Sequence, residues 1–153
     1  MKIDYLKIPE IAVSYKDTVK ASERAQVTNA RDAVKIFNAA FENCMEHHEE
    51  VYALYLNANN RVLGISNISK GGISGTYVDI RIILQIALKV SATAILISHN
   101  HPSGCTKPSS EDLALTEKIK KGCEAVGIKL FDHVIVTNDT YTSFAEEGLL
   151  INY

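Results

Sequence analysis

The feature that most constrains the fold is a short apolar run, Thr93-Ala94-Ile95-Leu96-Ile97-Ser98, in which polar and apolar residues do not alternate. A run of this length and composition is typical of a central strand that is covered on both of its faces. Helical segments alternate with extended segments along the chain, and such helices can cover the sheet. The sequence therefore predicts an α/β sandwich around a central mixed sheet.

Helical and extended patterns alternate along the rest of the chain. The spacing of apolar residues and the capping signals predict helices at 30–47, 80–90 and 109–127. Runs of strand-forming residues predict strands at 50–56, 61–68 and 128–137, with a short last segment at 141–144. Residues 71–75 are predicted to be a flexible loop. We divide the chain into an N-terminal extension, residues 1–28, with a predicted strand at 11–15, and a domain, residues 29–153.

Charge and composition exclude several classes of protein. The net charge is −2 and the isoelectric point is about 6.2, whereas DNA-binding domains usually carry a clear basic excess. We therefore do not expect direct nucleic-acid binding by this chain alone. The first ten residues have no hydrophobic signal core and no stretch approaches the roughly 18 apolar residues of a membrane helix. Three cysteines without a C-x-x-C pair suit a reducing compartment, so we expect a cytoplasmic protein.

The residues that follow the central strand carry chemistry. His99 and His101 are two positions apart, so in extended backbone their imidazoles point to the same side and can reach one ion. Asp112 lies in the first turn of the next predicted helix, which the intervening loop can fold back over the strand end. Two imidazoles and one carboxylate leave a tetrahedral zinc with one open position, which is a catalytic arrangement. A carboxylate base is also needed, and the spacing leaves Glu49 and Glu50 as alternatives.

The spacing resembles the JAMM motif of the JAB/MPN metallopeptidases, which reads H-x-H-P, six residues, then S-x-x-D. The matching positions here are His99, His101, Pro102, Ser109 and Asp112. The longer pattern, which also includes Ser103-Gly104, Pro108 and Asp132-His133, resembles the RadC family, whose members are often described as DNA-repair proteins. This resemblance covers roughly residue 30 to the end of the sequence.

The resemblance implies a cytidine-deaminase-like α/β/α sandwich of JAB/MPN type and a zinc-dependent hydrolase. One zinc per chain would be held by His99, His101, Asp112 and a water. Counting back from the Leu56-Asn57 strand end assigns the base to Glu49. Ser109 would donate a hydrogen bond to the oxyanion or position the water. The substrate would be a peptide or isopeptide amide, so a peptide or protein partner is expected.

Three other functions are alternatives to this one. The first is a DNA-repair- or mobile-element-associated accessory protein without peptidase activity. Against it stand the acidic isoelectric point and the expectation that the chain is too short for the helix-hairpin-helix module of typical RadC proteins. The second is a nucleobase deaminase, but its H-x-E and P-C-x-x-C signature is absent. The third is a metal-stabilised interaction domain, which zinc removal would unfold.

Several single residues had two interpretations. Ser109-x-x-Asp112 is also an ordinary capping box, and the cap can orient the ligand. His47 and His48 could form a second metal cluster with Glu49, but we favour the last turn of the first helix, where the dipole stabilises positive charge. The remaining alternatives concern the surroundings of the zinc. His133 is either a partner of a zinc histidine or a buried histidine that is hydrogen-bonded to the backbone. Cys105 is either an exposed thiol or an accidental fourth ligand.

Overall fold

The structure is a computed structural model that describes residues 9–71 and 77–150. A 3₁₀ turn at Ala21–Glu23 precedes the main elements. In chain order these are α1 (Ala30–Ala40), β1 (Glu50–Leu56), β2 (Val62–Lys70), α2 (Ile80–Lys89), β3 (Ala94–Asn100), α3 (Ser110–Ala125), β4 (Lys129–Val136) and β5 (Tyr141–Ser143).

The five strands form one mixed sheet in the order β2-β1-β3-β4-β5. The central strand is β3, which pairs antiparallel with β1 and parallel with β4. Every residue of β3 is buried, which confirms that the apolar run around Ile95 is covered on both faces. The outer strands β2 and β5 pair antiparallel with their neighbours. The predicted α/β fold with a central mixed sheet is confirmed.

Helices cover both faces of this sheet because successive strand residues point to opposite sides. In β1, Ala53 and Tyr55 belong to one buried cluster, which contains residues of α2 and α3. Leu54 and Leu56 belong to a second cluster, which contains Ala33 and Phe37 of α1. The architecture is therefore three layers, with α2 and α3 on one face and α1 on the other.

Local sequence signals place the ends of these elements. Asn29 caps α1 by accepting a hydrogen bond from the backbone N–H of Asp32, and Asp79 caps α2 in the same way through Arg81. The β1–β2 hairpin turns at Asn57, whose side-chain oxygen accepts hydrogen bonds from the turn. These signals are local, and the helix starts and the hairpin agree with the sequence prediction.

Two predicted elements are wrong. No strand forms at 11–15, where Ile11 and Val13 are 88% and 72% exposed and none of the described strands pairs with the segment. The first helix ends at Ala40 rather than near residue 47, and the chain continues in turns. The cause is a contact between distant parts of the chain. The side-chain amide of Asn100 on β3 donates hydrogen bonds to three backbone carbonyls of the segment that follows Phe41. The interpretation of His47 and His48 as residues of a helical turn is therefore also wrong.

Most of the glycine-rich loop predicted at 71–75 lies outside the described residues, as do residues 1–8 and 151–153. Within 9–71 and 77–150, none of the helices combines the length and the apolar character that are needed to cross a bilayer.

Candidate metal centre

Two imidazoles meet at the carboxyl end of the central strand. His99 is the penultimate residue of β3, paired with Val51 of β1 and Ile135 of β4, and is 2% exposed. His101 follows the strand, held by a hydrogen bond from its backbone N–H to the Val136 carbonyl. The two Nε2 atoms are 2.8 Å apart. Strand pairing on both sides of β3 thus fixes the position of His99, and the hydrogen bond to Val136 places His101 beside it.

The start of α3 brings a carboxylate to the same place. Asp112 is the third residue of this helix, and its Oδ1 and Oδ2 lie 3.2 Å from His99 Nε2 and 3.5 Å from His101 Nε2. A capping box orients it, because Ser109 Oγ accepts from the Asp112 N–H at 3.0 Å and Asp112 Oδ2 accepts from the Ser109 N–H at 2.8 Å. The cap and the metal-ligand geometry therefore occur together in one turn.

The hydrogen-bond network determines which nitrogen of His99 carries its proton. The hydroxyl of Thr116 donates to the Asp112 carbonyl at 2.6 Å, so it can only accept from His133 Nδ1, also at 2.6 Å. Burial lowers the pKa of His133 well below 6.5, so its ring is neutral and Nε2 carries a lone pair. His99 Nδ1, 2.7 Å away, then donates to that lone pair. This assignment leaves a lone pair on His99 Nε2, directed at Asp112.

A backbone carbonyl fixes the second imidazole in the same tautomer. His101 Nδ1 lies 2.6 Å from the Cys105 carbonyl oxygen, which can only accept. The proton therefore sits on Nδ1 and, in the neutral ring, Nε2 is free to bind a cation. Cys105 contacts the centre through this carbonyl, and its side chain is exposed, as one of its two sequence interpretations proposed.

The charges at the centre favour a cation. Burial by itself would raise the pKa of Asp112, but the hydrogen bonds that it accepts from His101 and His99 when either Nε2 is protonated outweigh burial and hold that pKa below 3.8. Hydrogen bonding to Asp112 in turn raises the pKa of His101, against the opposite effect of burial. A carboxylate anion thus faces two imidazole nitrogens, and positive charge between them is stabilised.

The donor set fits a metal ion. One ligand atom each from His99, His101 and Asp112 can be chosen so that all three lie within 4.8 Å of one another. Two imidazole nitrogens and one carboxylate form a ligand set of catalytic transition-metal sites. Each histidine also donates its other ring N–H to a fixed acceptor, as metal-binding histidines commonly do. The three sequence-predicted ligands are therefore brought together in an arrangement that can hold one divalent cation.

The two candidate bases lie on opposite sides of β1. Glu49 is half-buried and lines an open pocket of about 620 Å³, together with the three ligands and Ser109. Glu50 is 6% exposed and is absent from that pocket. Its Oε1 lies 2.7 Å from His48 Nε2 and its Oε2 accepts from Asn67 Nδ2 at 2.9 Å. Of the two alternatives, Glu49 is the one that lines the pocket beside the candidate ligands.

Sequence reasoning missed Thr116, which supports the centre, and Asn100, which organises the opposite face of the sheet. Thr116 lies one helical turn after Asp112, a spacing that puts both on one face of α3 and could have revealed it. Asn100 lies between the two histidines, so its side chain must point to the opposite face of the sheet. There its Oδ1 accepts from the Glu50 N–H at 2.8 Å. His133 was one of two sequence alternatives, and it contacts His99 rather than a backbone group.

Comparison with known proteins adds family information to this geometry. A family model described as a RadC-like JAB domain matches residues 27–149, which include the whole candidate centre. UPF0758 proteins are similar in sequence. The one from Flavobacterium johnsoniae is 40% identical over 124 residues, which cover 81% of this chain and 53% of the relative. The one from Aquifex aeolicus is 38% identical over 143 residues, which cover 91% of this chain and 62% of the relative.

A third relative, the UPF0758 protein of Streptococcus gordonii, is 46% identical over 103 residues, which cover 67% of this chain and 46% of the relative. The chain therefore spans about half the length of the curated relatives that it matches. The family match extends over most of the chain and includes the histidines and the aspartate whose geometry is given above. The chain belongs to the RadC-like JAB domain family.

Proposed function

We propose that this chain is a zinc-dependent hydrolase of the JAMM type that cleaves a peptide or isopeptide amide. One observation carries the proposal. The free nitrogens of His99 and His101 and the carboxylate of Asp112 converge in a pocket that also contains a second carboxylate, Glu49, and a hydroxyl, Ser109. A closed structural metal site has no need of an adjacent carboxylate that is not a ligand, whereas hydrolysis requires one.

The ligand set supports zinc as the cation. Neutral imidazoles and one carboxylate suit Zn²⁺ and leave a coordination position open. A zinc ion bound by His99, His101 and Asp112 would polarise the substrate carbonyl and lower the pKa of a water molecule to roughly 7. In the neutral ring of His99, the hydrogen bonds that link Nδ1 through His133 to Thr116 place the proton on Nδ1 and leave Nε2 as the ligand atom.

Glu49 acts as the proton carrier in this proposal. Its carboxylate lines the pocket, but it is not one of the three grouped ligands. It accepts the proton that the attacking water loses and later delivers that proton to the leaving amine. Both transfers need one carboxylate that is within reach of water and substrate.

Ser109 stabilises the negative charge that develops on the carbonyl oxygen. Its Oγ uses one lone pair to accept from the Asp112 N–H, and its own proton, which also interacts with the Glu111 carboxylate, can be donated to the substrate oxygen. The residue is exposed and lines the pocket. A donor already fixed by a helix cap needs little reorganisation when that charge forms.

The shape of the pocket favours a chain-like substrate. It is open to solvent and extends from the ligands to Tyr77, Leu115 and Lys118, so polar and apolar side chains both line it. An extended peptide segment can lie across such a surface with its amide at the metal. We therefore propose a peptide or protein as the partner.

The test is a cleavage screen with the zinc-loaded protein against mixtures of linear and isopeptide-linked peptides, read by mass spectrometry. We expect cleavage that Glu49→Gln lowers by roughly 10²–10⁴, the usual contribution of a positioned acid–base group, while zinc content and melting temperature are unchanged. Glu147→Gln is the matched control, because Glu147 is exposed and lies outside the pocket. Fully zinc-loaded protein that cleaves no amide, or cleavage that survives Glu49→Gln, would overturn the proposal.

A further inference from the structure

A second group of ligand-type side chains lies on the opposite face of the sheet. Cys44, His48 and Glu50 offer one ligand atom each, and these atoms all lie within 4.8 Å of one another. Cys44 and Glu50 are buried, with 4% and 6% exposure, and His48 is half-buried. From this juxtaposition we propose a second divalent-metal site, formed by Cys44 Sγ, His48 Nε2 and a Glu50 carboxylate oxygen and selective for a thiophilic ion such as zinc.

The three side chains come from a segment that the fold holds rigidly. The side-chain amide of Asn100 donates to the carbonyls of Cys44, Met45 and His48 at 3.2, 3.1 and 2.8 Å. The same side chain accepts from the Glu50 N–H at 2.8 Å. One buried residue of β3 therefore fixes the backbone of all three proposed ligands, and a preformed site loses little entropy when an ion binds.

Each donor atom is also oriented by a neighbour. Glu50 Oε2 accepts from Asn67 Nδ2 at 2.9 Å, which leaves Oε1 directed at His48 Nε2, 2.7 Å away. His48 Nδ1 lies 2.8 Å from His47 Nδ1, so the neighbouring ring can accept a hydrogen bond from the Nδ1–H of His48 when Nε2 binds a metal. This relation is similar to that of His99 and His133 at the first centre.

The charges and the donor types define the ion. A thiolate and a carboxylate neutralise a divalent cation completely, which matters because two of the three ligands are buried. Binding releases the Cys44 thiol proton to solvent, since the thiolate is the ligand form. A sulfur donor selects zinc-like ions over magnesium and calcium, which prefer oxygen ligands alone. The first centre, by contrast, has no sulfur among its three grouped ligands.

The test is a metal titration of chelated protein in a Cys105→Ser background, which removes the exposed thiol near the first centre. Elemental analysis should give about two zinc per chain, falling to about one in Cys44→Ser and in His48→Gln. Substitution with cobalt(II) should produce a near-ultraviolet thiolate charge-transfer band. That band should persist when His99 and His101 are both changed to alanine and disappear in Cys44→Ser.

Cys123→Ala is the matched control, because Cys123 is equally buried but lies in the core on the other face of the sheet. It should keep both zinc ions and the cobalt band. His48→Gln provides a second variant in case Cys44→Ser perturbs folding, which circular dichroism reports. A single zinc in the parent protein that depends on His99 and His101, with no thiolate band, would overturn the proposal. The Cys44 group would then be only a hydrogen-bonded His–Glu pair beside a thiol.

Discussion

At the scale of single residues, groups that can only accept hydrogen bonds decide which nitrogen of each histidine ring carries the proton. The backbone carbonyls of Asp112 and Cys105 can only accept hydrogen bonds. The first therefore fixes which group donates along the chain from Thr116 through His133 to His99, and the second fixes the proton of His101 on Nδ1. The result is that His99 and His101 both present an unprotonated Nε2 to the centre. Without a cation these two lone pairs face each other at 2.8 Å, which is unfavourable unless a proton or a metal lies between them. The centre is therefore arranged for a positive ion before one binds.

This account predicts a specific role for Thr116. Thr116→Val keeps the shape of the side chain but removes the hydroxyl that accepts from His133 and donates to Asp112. Loss of this supporting contact should weaken zinc affinity at the first centre by roughly 10–100-fold. Competition with a chelator in a Cys44→Ser background measures that affinity.

The matched control for this prediction is Thr142→Val, which removes a threonine hydroxyl from β5. It should bind zinc like the parent protein. Equal affinity in Thr116→Val and in the parent would show that the hydroxyl does not set the tautomer of His99.

At the scale of elements, the centre depends on where one strand ends and one helix begins. The end of β3 supplies both imidazoles, and the first turn of α3 supplies the carboxylate. The capping box at Ser109 links the two functions, since it stabilises the helix and orients Asp112 in the same contact. Loss of the cap should therefore lower the free energy of unfolding more clearly than it weakens metal binding.

Ser109→Ala removes the side-chain acceptor for the Asp112 N–H. The free energy of unfolding of the metal-free protein should fall by about 1 kcal/mol, within the usual range for loss of an N-cap. Zinc should still bind, because the Ser109 backbone N–H still donates to Asp112 Oδ2. Urea unfolding of chelated protein provides the measurement.

Ser110→Ala is the control for the cap, because the Ser110 hydroxyl contacts only the exposed Glu111. It should change the free energy of unfolding by less than about 0.5 kcal/mol. A similar effect of both substitutions would mean that the capping box does not stabilise α3.

The elements also show how much of the structure could be predicted from the sequence. The central strand around Ile97 and the ligand spacing from His99 to Asp112 were predictable, because burial on both faces and a strand–loop–helix unit are local patterns. The choice of Glu49 over Glu50 needed either the family resemblance or the structure. Spacing alone does not show which of these two side chains lines the pocket.

The errors came from contacts between distant segments. Apolar spacing continued to Cys44 and predicted a longer α1, but Asn100 holds the carbonyls of that segment in turns. The grouping of Cys44, His48 and Glu50 was missed for the same reason, since it exists only when those turns form. At 11–15 the residues favour a strand, but none of the strands that the structure describes pairs with them.

At the scale of the whole molecule, the sheet separates two chemically different groups of ligands. The face covered by α2 and α3 carries His99, His101 and Asp112, and the face covered by α1 carries Cys44 with its two partners. The chain spans about half of its curated relatives, so partners and substrates of the full-length proteins are proposals for this domain. The RadC-like fold and the residues of the first candidate centre lie within the chain itself.

The most direct test of the account is an anomalous difference map at the zinc absorption edge, from crystals grown with zinc. We predict a peak about 2.0–2.1 Å from the Nε2 atoms of His99 and His101 and about 2.0–2.2 Å from an Asp112 carboxylate oxygen. Glu49 should lie beside this peak without ligating it. Zinc-saturated crystals with no peak at these three side chains, or with Glu49 as a fourth ligand that closes the site, would contradict the account.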